Sequence, residues 1–158
     1  MCLNKIFRNI VICLVLAFWM SACTEKKEEP NSPQGRLKEY ISKSFDTKTS
    51  EDRNVLMNYL TGQAKIRLSS WTHEQFRQAF IETKRKFIKL SFVEAKNLSP
   101  KEINITYELS YLDESKGKNA KIINKKSCQM IEEGGKWYIS DVRNIKELIE
   151  YQNELTLP

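Results

Sequence analysis

Few residues in this chain have the type and spacing to do acid–base or covalent chemistry. His73 is the lone histidine. It stands in Thr72-His73-Glu74-Gln75, a capping-box pattern that puts it in a solvent-facing first helical turn. Asp141 lies in the run Trp137-Tyr138-Ile139-Ser140-Asp141-Val142. Strict alternation with Trp137 and Ile139 would aim its carboxyl inward, where burial could tune a general base; a strand-end residue satisfied by backbone is the competing expectation. Tyr107 and Tyr111 share a face with Ile103, Ile105 and Leu109, which suits core packing or the lining of a pocket. Tyr107, Tyr111, Trp137 and Asp141 are therefore the candidate pocket lining, and no residue is assigned as catalytic. The chain has no glycine-rich phosphate loop, no Gly-x-Ser-x-Gly and no nucleophile–base pair at local spacing. No cofactor is expected. No metal is expected either, because one histidine and scattered cysteines do not supply tetrahedral ligand spacing.

The four cysteines are Cys2, Cys13, Cys23 and Cys128. The first three fall in an N-terminal segment of distinct character. Lys5 and Arg8 precede an unbroken apolar run, Ile10 to Met20, which ends in the small pair Ser21-Ala22. Basic start, short apolar centre and small residues are the order of a secretory signal. A spanning helix needs about 20 apolar residues to cross roughly 30 Å of hydrocarbon, and the polar TEKKEEP that follows cuts this run short. Met20-Ser21-Ala22-Cys23 resembles the lipobox of bacterial lipoproteins, with Met20 where most such boxes carry Leu. The resemblance implies cleavage before Cys23, acylation of its thiol and an exported chain held at a membrane of the cell envelope. Two or more acyl chains anchor stably where one does not. Cys128 would then be the one thiol left, without a disulfide partner, and is read as a small buried hydrophobe on a strand.

The elements that must position these residues follow from periodicity. Residues 1–22 read as the signal and residues 23–35 as the lipidated cysteine with a polar tether. The tether lacks apolar side chains and carries Pro30, Pro33 and Gly35, so it cannot offset its ordering entropy. Residues 36–158 read as one domain. Leu37, Tyr40, Ile41 and Phe45 recur at helical spacing. A second helix is expected after Ser50 as N-cap, with Val55, Leu56, Tyr59 and Leu60 as its stripe and Gly62 as its end or bend. A third begins at Thr72 and buries Phe76, Ala79 and Phe80. The period then changes to two. Ile88, Leu90 and Phe92 alternate, and Val93 and Ala95 continue in the opposite phase, which predicts a bulge near Phe92-Val93. Ser99-Pro100 is a turn, Ile103 to Tyr111 a strand, Ala120 to Glu132 a longer mixed strand, and Gly134-Gly135 a tight hairpin. Ile145, Leu148 and Ile149 are spaced for a last helix.

Helices first and an antiparallel meander after them predict an α+β fold: N-terminal helices packed on a curved antiparallel sheet of about four strands. That order, with the Gly134-Gly135-Lys136-Trp137-Tyr138-Ile139-Ser140-Asp141-Val142 hairpin, resembles the nuclear transport factor 2-like, or cystatin-like, fold of many small bacterial lipoproteins. The resemblance implies a cone-like domain around a pocket. Fold does not fix function, and the thin acid–base inventory favours a non-enzymatic ligand- or protein-binding or scaffold module. The alternatives are a pocket enzyme of the isomerase or dehydratase type with Asp141 as base, and an inhibitor- or immunity-type lipoprotein. The expected partners are the membrane, through Cys23, and a protein or small apolar ligand.

The formal charge of +6 includes Lys5 and Arg8. What remains is too diffuse for a nucleic-acid footprint, and export argues against that role. Basic residues cluster at Lys84-Arg85-Lys86-Lys89 and at Lys116-Lys118-Lys121-Lys125-Lys126. They read as solvated or as edge-strand lysines that block aggregation, with docking to an acidic partner as the functional alternative.

Overall fold

A computed structural model describes residues 31–117 and 119–151. The signal segment, Met20–Cys23 and most of the tether lie outside the described residues.

Among the described residues, four helical pieces come before the sheet: α1 (Pro33–Asp46), α2 (Asp52–Met57), α3 (Gly62–Ser70) and α4 (His73–Phe76), which runs on as a π-helical turn over Arg77–Ile81. Helix α1 starts inside the stretch read as tether. Pro33 occupies the first turn, where a missing N–H costs nothing, and the Ser32 hydroxyl accepts from Gly35 N at 3.0 Å. Ser50 does not cap α2. No side chain caps it; the Asp52 carboxylate instead ties down the turn before the helix, accepting from Lys48 N at 2.9 Å and Thr49 N at 3.0 Å. The Thr72–Gln75 capping box is present in both directions, at 3.1 and 2.8 Å.

The sheet is an antiparallel meander in the order β1-β2-β3-β4, with β1 Arg85–Ser99, β2 Glu102–Asp113, β3 Ala120–Glu133 and β4 Lys136–Tyr151. The architecture is α+β, helices packed on one face of a four-stranded sheet. The expected bulge is there, with the register of β1 shifting between Phe92 and Glu94, and two more shifts flank Ile88 and Leu98. Gly134 and Gly135, at φ 59° and 79°, make the tight turn that only residues tolerant of positive φ allow.

The helix expected over Ile145–Tyr151 does not form. That segment is the last part of β4, with Ile149 opposite Ile122, Leu148 opposite Ile123 and Glu150 opposite Lys121. Spacing of three and four suits a helix, but the length of β3 offers an unpaired ladder, and closing it satisfies the backbone polar groups of both strands. The β-branched Ile145 and Ile149 suit that outcome.

The core forms where helices meet the inner face of the sheet. Leu37, Ile41, Leu56, Leu68 and Phe76 come from the helices, Leu60 from the connection after α2, and Ile103, Ile105, Cys128, Met130 and Ile139 from the strands. Cys128 is free and fully buried, as the sequence suggested. Chain between α2 and α3 covers part of the β4 edge. Thr61 N donates to Ile139 O and Ile139 N to Tyr59 O, each at 2.9 Å. Gly62 then turns into α3 at φ +48°, and a Cβ there would sit 3.4 Å from Ser140 O. Arg53 closes the other end of α3, donating to Leu68 O, to Ser69 O at 3.0 Å and to Trp71 O at 2.6 Å, which satisfies carbonyls a helix end leaves open. Among the described residues no helix is long and apolar enough to cross a membrane.

Candidate functional site

The register of β3 decides what lies on the inner face. Ala120, Ile122, Cys128 and Met130 are buried there in alternation. Residues at the same phase share a face, so Asn124 and Lys126 point the same way, into the helix-covered side. Lys126 is opposite Tyr107 on β2 and Asn144 on β4, and Asn124 is opposite Leu109 and Glu147. A polar belt thus crosses the inner face. On one side is the core around Ile105 and Cys128. On the other are the fully buried Ile122 and Ala120 with Tyr111 and Phe87.

Arg85, at the start of β1, joins the belt from the side. Its guanidinium lies 5.4 Å from the Phe45 ring centroid and 5.7 Å from that of Phe80, and donates to Ala79 O at 2.9 Å. The π-helical turn presents that carbonyl, and such turns often sit where a helix has been adapted to a site. Phe45 also meets the Tyr111 ring edge-on at 5.7 Å.

What these groups lack is partners. Lys126 forms no hydrogen bond or ion pair among the described residues, and neither the Tyr40 nor the Tyr107 hydroxyl is hydrogen-bonded. Asn124 gives one end of its amide to the Tyr111 hydroxyl at 3.2 Å, and its other end, Oδ1, is buried and unpartnered. No other described side-chain polar atom is both buried and unpartnered. The Lys126 ammonium and the two hydroxyls therefore reach accessible space although their side chains are largely buried. The belt is open on the β4 side, where Asn144 and Glu147 are exposed. Two acids stand near, and both are engaged. Asp113 accepts from Ser115 N at 3.1 Å and from its hydroxyl at 2.5 Å, and Glu147 pairs with Lys116 at 3.2 Å.

Burial sets the electrostatics. It pushes the Lys126 ammonium below the usual lysine range, and Arg85 pushes the same way against Glu147. Arg85 is also lowered, chiefly by burial, with Tyr111, Asp113 and Tyr40 opposing. The Tyr40 hydroxyl is pushed up to about 12, first by burial and then by Cys128. Tyr107 is raised by burial above the usual phenol range. Both phenols stay protonated at neutral pH and can donate. The belt offers cations and hydroxyl donors.

Asp141 requires a correction. Ser140 is an extra residue in β4, since Ile139 is opposite Met130 and Asp141 is opposite Gln129. That bulge reverses the phase, so Asp141 shares the outer face with Gln129 and does not line the belt. Its carboxylate binds Arg67 at 2.6 Å and Arg143 at 2.8 Å, and those two hold its pKa below the usual carboxylate range. Tyr107 and Tyr111 do line the inner face. Trp137 shares it too but packs against the core at the far end of β3, opposite Glu132, away from the belt. His73 is exposed. No group of three or more described metal-ligating side chains is placed to hold an ion.

Lys126, Asn124, Arg85 and Tyr40 were missed as site residues. The signal was present in β3, because the alternation of Ala120, Ile122, Cys128 and Met130 already puts Asn124 and Lys126 in phase with apolar positions. Three other lysines of the basic clusters are paired: Lys86 with Glu114 at 2.9 Å, Lys116 with Glu147 at 3.2 Å and Lys121 with Glu150 at 2.9 Å.

Comparison with known proteins adds the fold and little more. No protein-family model matches the chain, and no curated protein matches it. Among solved structures, the chain is similar to a SEC-C motif containing protein from Rhodopseudomonas palustris, determined in solution, at 13% identity and a TM-score of 0.53. The match covers 77% of this chain and 84% of that one, and it supports a shared arrangement of helices and sheet.

Proposed function

We propose that this protein is an envelope lipoprotein, anchored through acylated Cys23, whose α+β domain is a non-enzymatic binding module. The ligand would enter the inner face of the sheet. The observation that carries the reading is the belt on the helix-covered side: the Lys126 ammonium and the Tyr40 and Tyr107 hydroxyls have no protein partner among the described residues, and Asn124 Oδ1 is buried and unpartnered while its amide nitrogen bonds Tyr111. Buried polar groups are normally satisfied internally, and a set that is not suits an exchangeable occupant. The helix-then-meander order and the bulged strands are also consistent with the cone of the nuclear transport factor 2-like class.

Anchoring rests on the order of basic, apolar and small residues before Cys23. In a two-membrane host the domain would face the periplasm or lie at the outer membrane. The test is mass spectrometry and fractionation of the full chain expressed in a bacterium, beside Cys23→Ser. The wild type should carry acyl mass on Cys23 and sediment with membranes, and the variant should lose both. Equal mass shifts and equal sedimentation in the two would sink the anchoring part.

A further inference from the structure

We infer that the belt on the inner face binds a small organic carboxylate, its head between Lys126 and Arg85 and its apolar body against Phe45 and Phe80. This rests on the binding-module reading and names the ligand class.

The charge balance gives the sign. Two cations are largely buried on one face, and no ion pair with either Asp113 or Glu147 forms there. Like charges drawn out of water disfavour each other as well as their own burial. Each acid nearby is already tied to another group. An entering anion would meet two cations that have no carboxylate partner, and a cation would be repelled by them. A neutral ligand would leave their desolvation uncompensated.

The donors give the head group. A guanidinium presents parallel N–H groups that match a carboxylate in a fork. Arg85 uses one nitrogen on Ala79 O and keeps other donors. The Tyr40 and Tyr107 hydroxyls, held protonated by burial, add neutral donors beside Lys126. Turned about its Cβ–Cγ axis, the Asn124 amide still bonds Tyr111, the hydroxyl then donating, and offers its amino group to the unpartnered side. Each partnerless group in the belt is therefore a donor or can be turned to present one, which suits an anion.

The walls give the body. Phe45 and Phe80 flank Arg85, Phe45 packs on Tyr111, and Ile122 and Leu109 are buried beside Asn124. An inorganic phosphate would lose its hydration against these rings with nothing apolar to contribute. A monocarboxylate with a short apolar body meets both halves of the site.

The test uses the full acylated chain in lipid nanodiscs, titrated calorimetrically against empty nanodiscs as blank. The probes are hexanoate, hexylamine, 1-hexanol and inorganic phosphate. Saturable binding of hexanoate is expected, at least about tenfold tighter than the other three, a gap of roughly 1.4 kcal/mol at equilibrium. Lys126→Met should weaken hexanoate by about tenfold or more and leave 1-hexanol unchanged, and Lys126→Arg should restore most of the loss. Binding of hexylamine or 1-hexanol as tight as hexanoate would overturn the carboxylate class while leaving a binding module standing. Phosphate binding as tight as hexanoate would overturn the organic body. No saturable probe, or hexanoate affinity indifferent to Lys126→Met, would overturn the site itself, and none of these outcomes touches the acyl mass on Cys23.

Discussion

Lys126→Met should make the ligand-free protein more stable, a gain expected from few lysine substitutions. The stem of Lys126 lies along the inner face, its ammonium has no protein partner among the described residues, and burial pushes its pKa down. Methionine keeps nearly the same length and fills the same groove, so little packing is lost. What disappears is the cost of desolvating an unpaired charge beside Arg85, which we put at about 1–2 kcal/mol. For a domain of this size that raises the thermal midpoint by roughly 4–10 °C.

The pH dependence has a definite sign. The folded state holds the Lys126 proton more weakly than the unfolded chain does, so below the folded pKa the wild type bears the full penalty. As pH rises toward 10.5, the ordinary lysine value, the folded protein sheds the proton first and stability climbs. The gap between variant and wild type should therefore be widest near neutral pH and narrow above it. Thermal melts by circular dichroism from pH 7 to 10.5 measure this directly. Added hexanoate should narrow that gap at neutral pH, because it binds the folded wild type about tenfold more tightly than the variant and so stabilises it by up to about 1.4 kcal/mol more. A destabilised Lys126→Met at neutral pH, or a gap that widens with alkalinity, would refute the buried-charge argument.

Two further expectations concern the frame around the belt. Asp141→Asn removes the negative charge that pairs with Arg67 and Arg143 and should cost only about 0.5 kcal/mol once solvent screening is counted. The folded carboxyl is held below its unfolded value, so its contribution is present above the ordinary carboxylate range and fades as pH falls. Melts of wild type and variant should converge on acidification, while hexanoate affinity at neutral pH stays the same. An affinity loss in Asp141→Asn would return that carboxylate to the site. Gly62→Ala forces a side chain into positive φ, its Cβ in ordinary contact with Ser140 O, and the backbone strain should lower stability by about 1–2 kcal/mol in urea unfolding. A variant as stable as wild type would mean that the joint between α3 and β4 relaxes freely.

The sequence by itself determined the class of the fold and most of its local devices. Alternation from Ile103 to Tyr111, the Thr72–Gln75 box, the glycine turn and the phase change at Val93 are all short-range signals. Each is set by neighbours within a turn or two, which is why they were legible. The expectation about Cys23 is of the same local kind. The last strand was different: Ile145 to Tyr151 has helical spacing, and only the unpaired length of β3 made it β.

The site depended on tertiary structure for the same reason. One extra residue, Ser140, sent Asp141 to the outer face, and a bulge of this kind has no fixed sequence signature. Lys126 sits among surface-type lysines in the sequence and differs from Lys121 and Lys125 only by the face the β3 register gives it. Arg85 reads as one of a solvated basic cluster, yet its guanidinium lies against two phenylalanine rings. A residue's chemistry was written in the sequence; its partners, and its lack of them, were decided by which strand came to lie beside it.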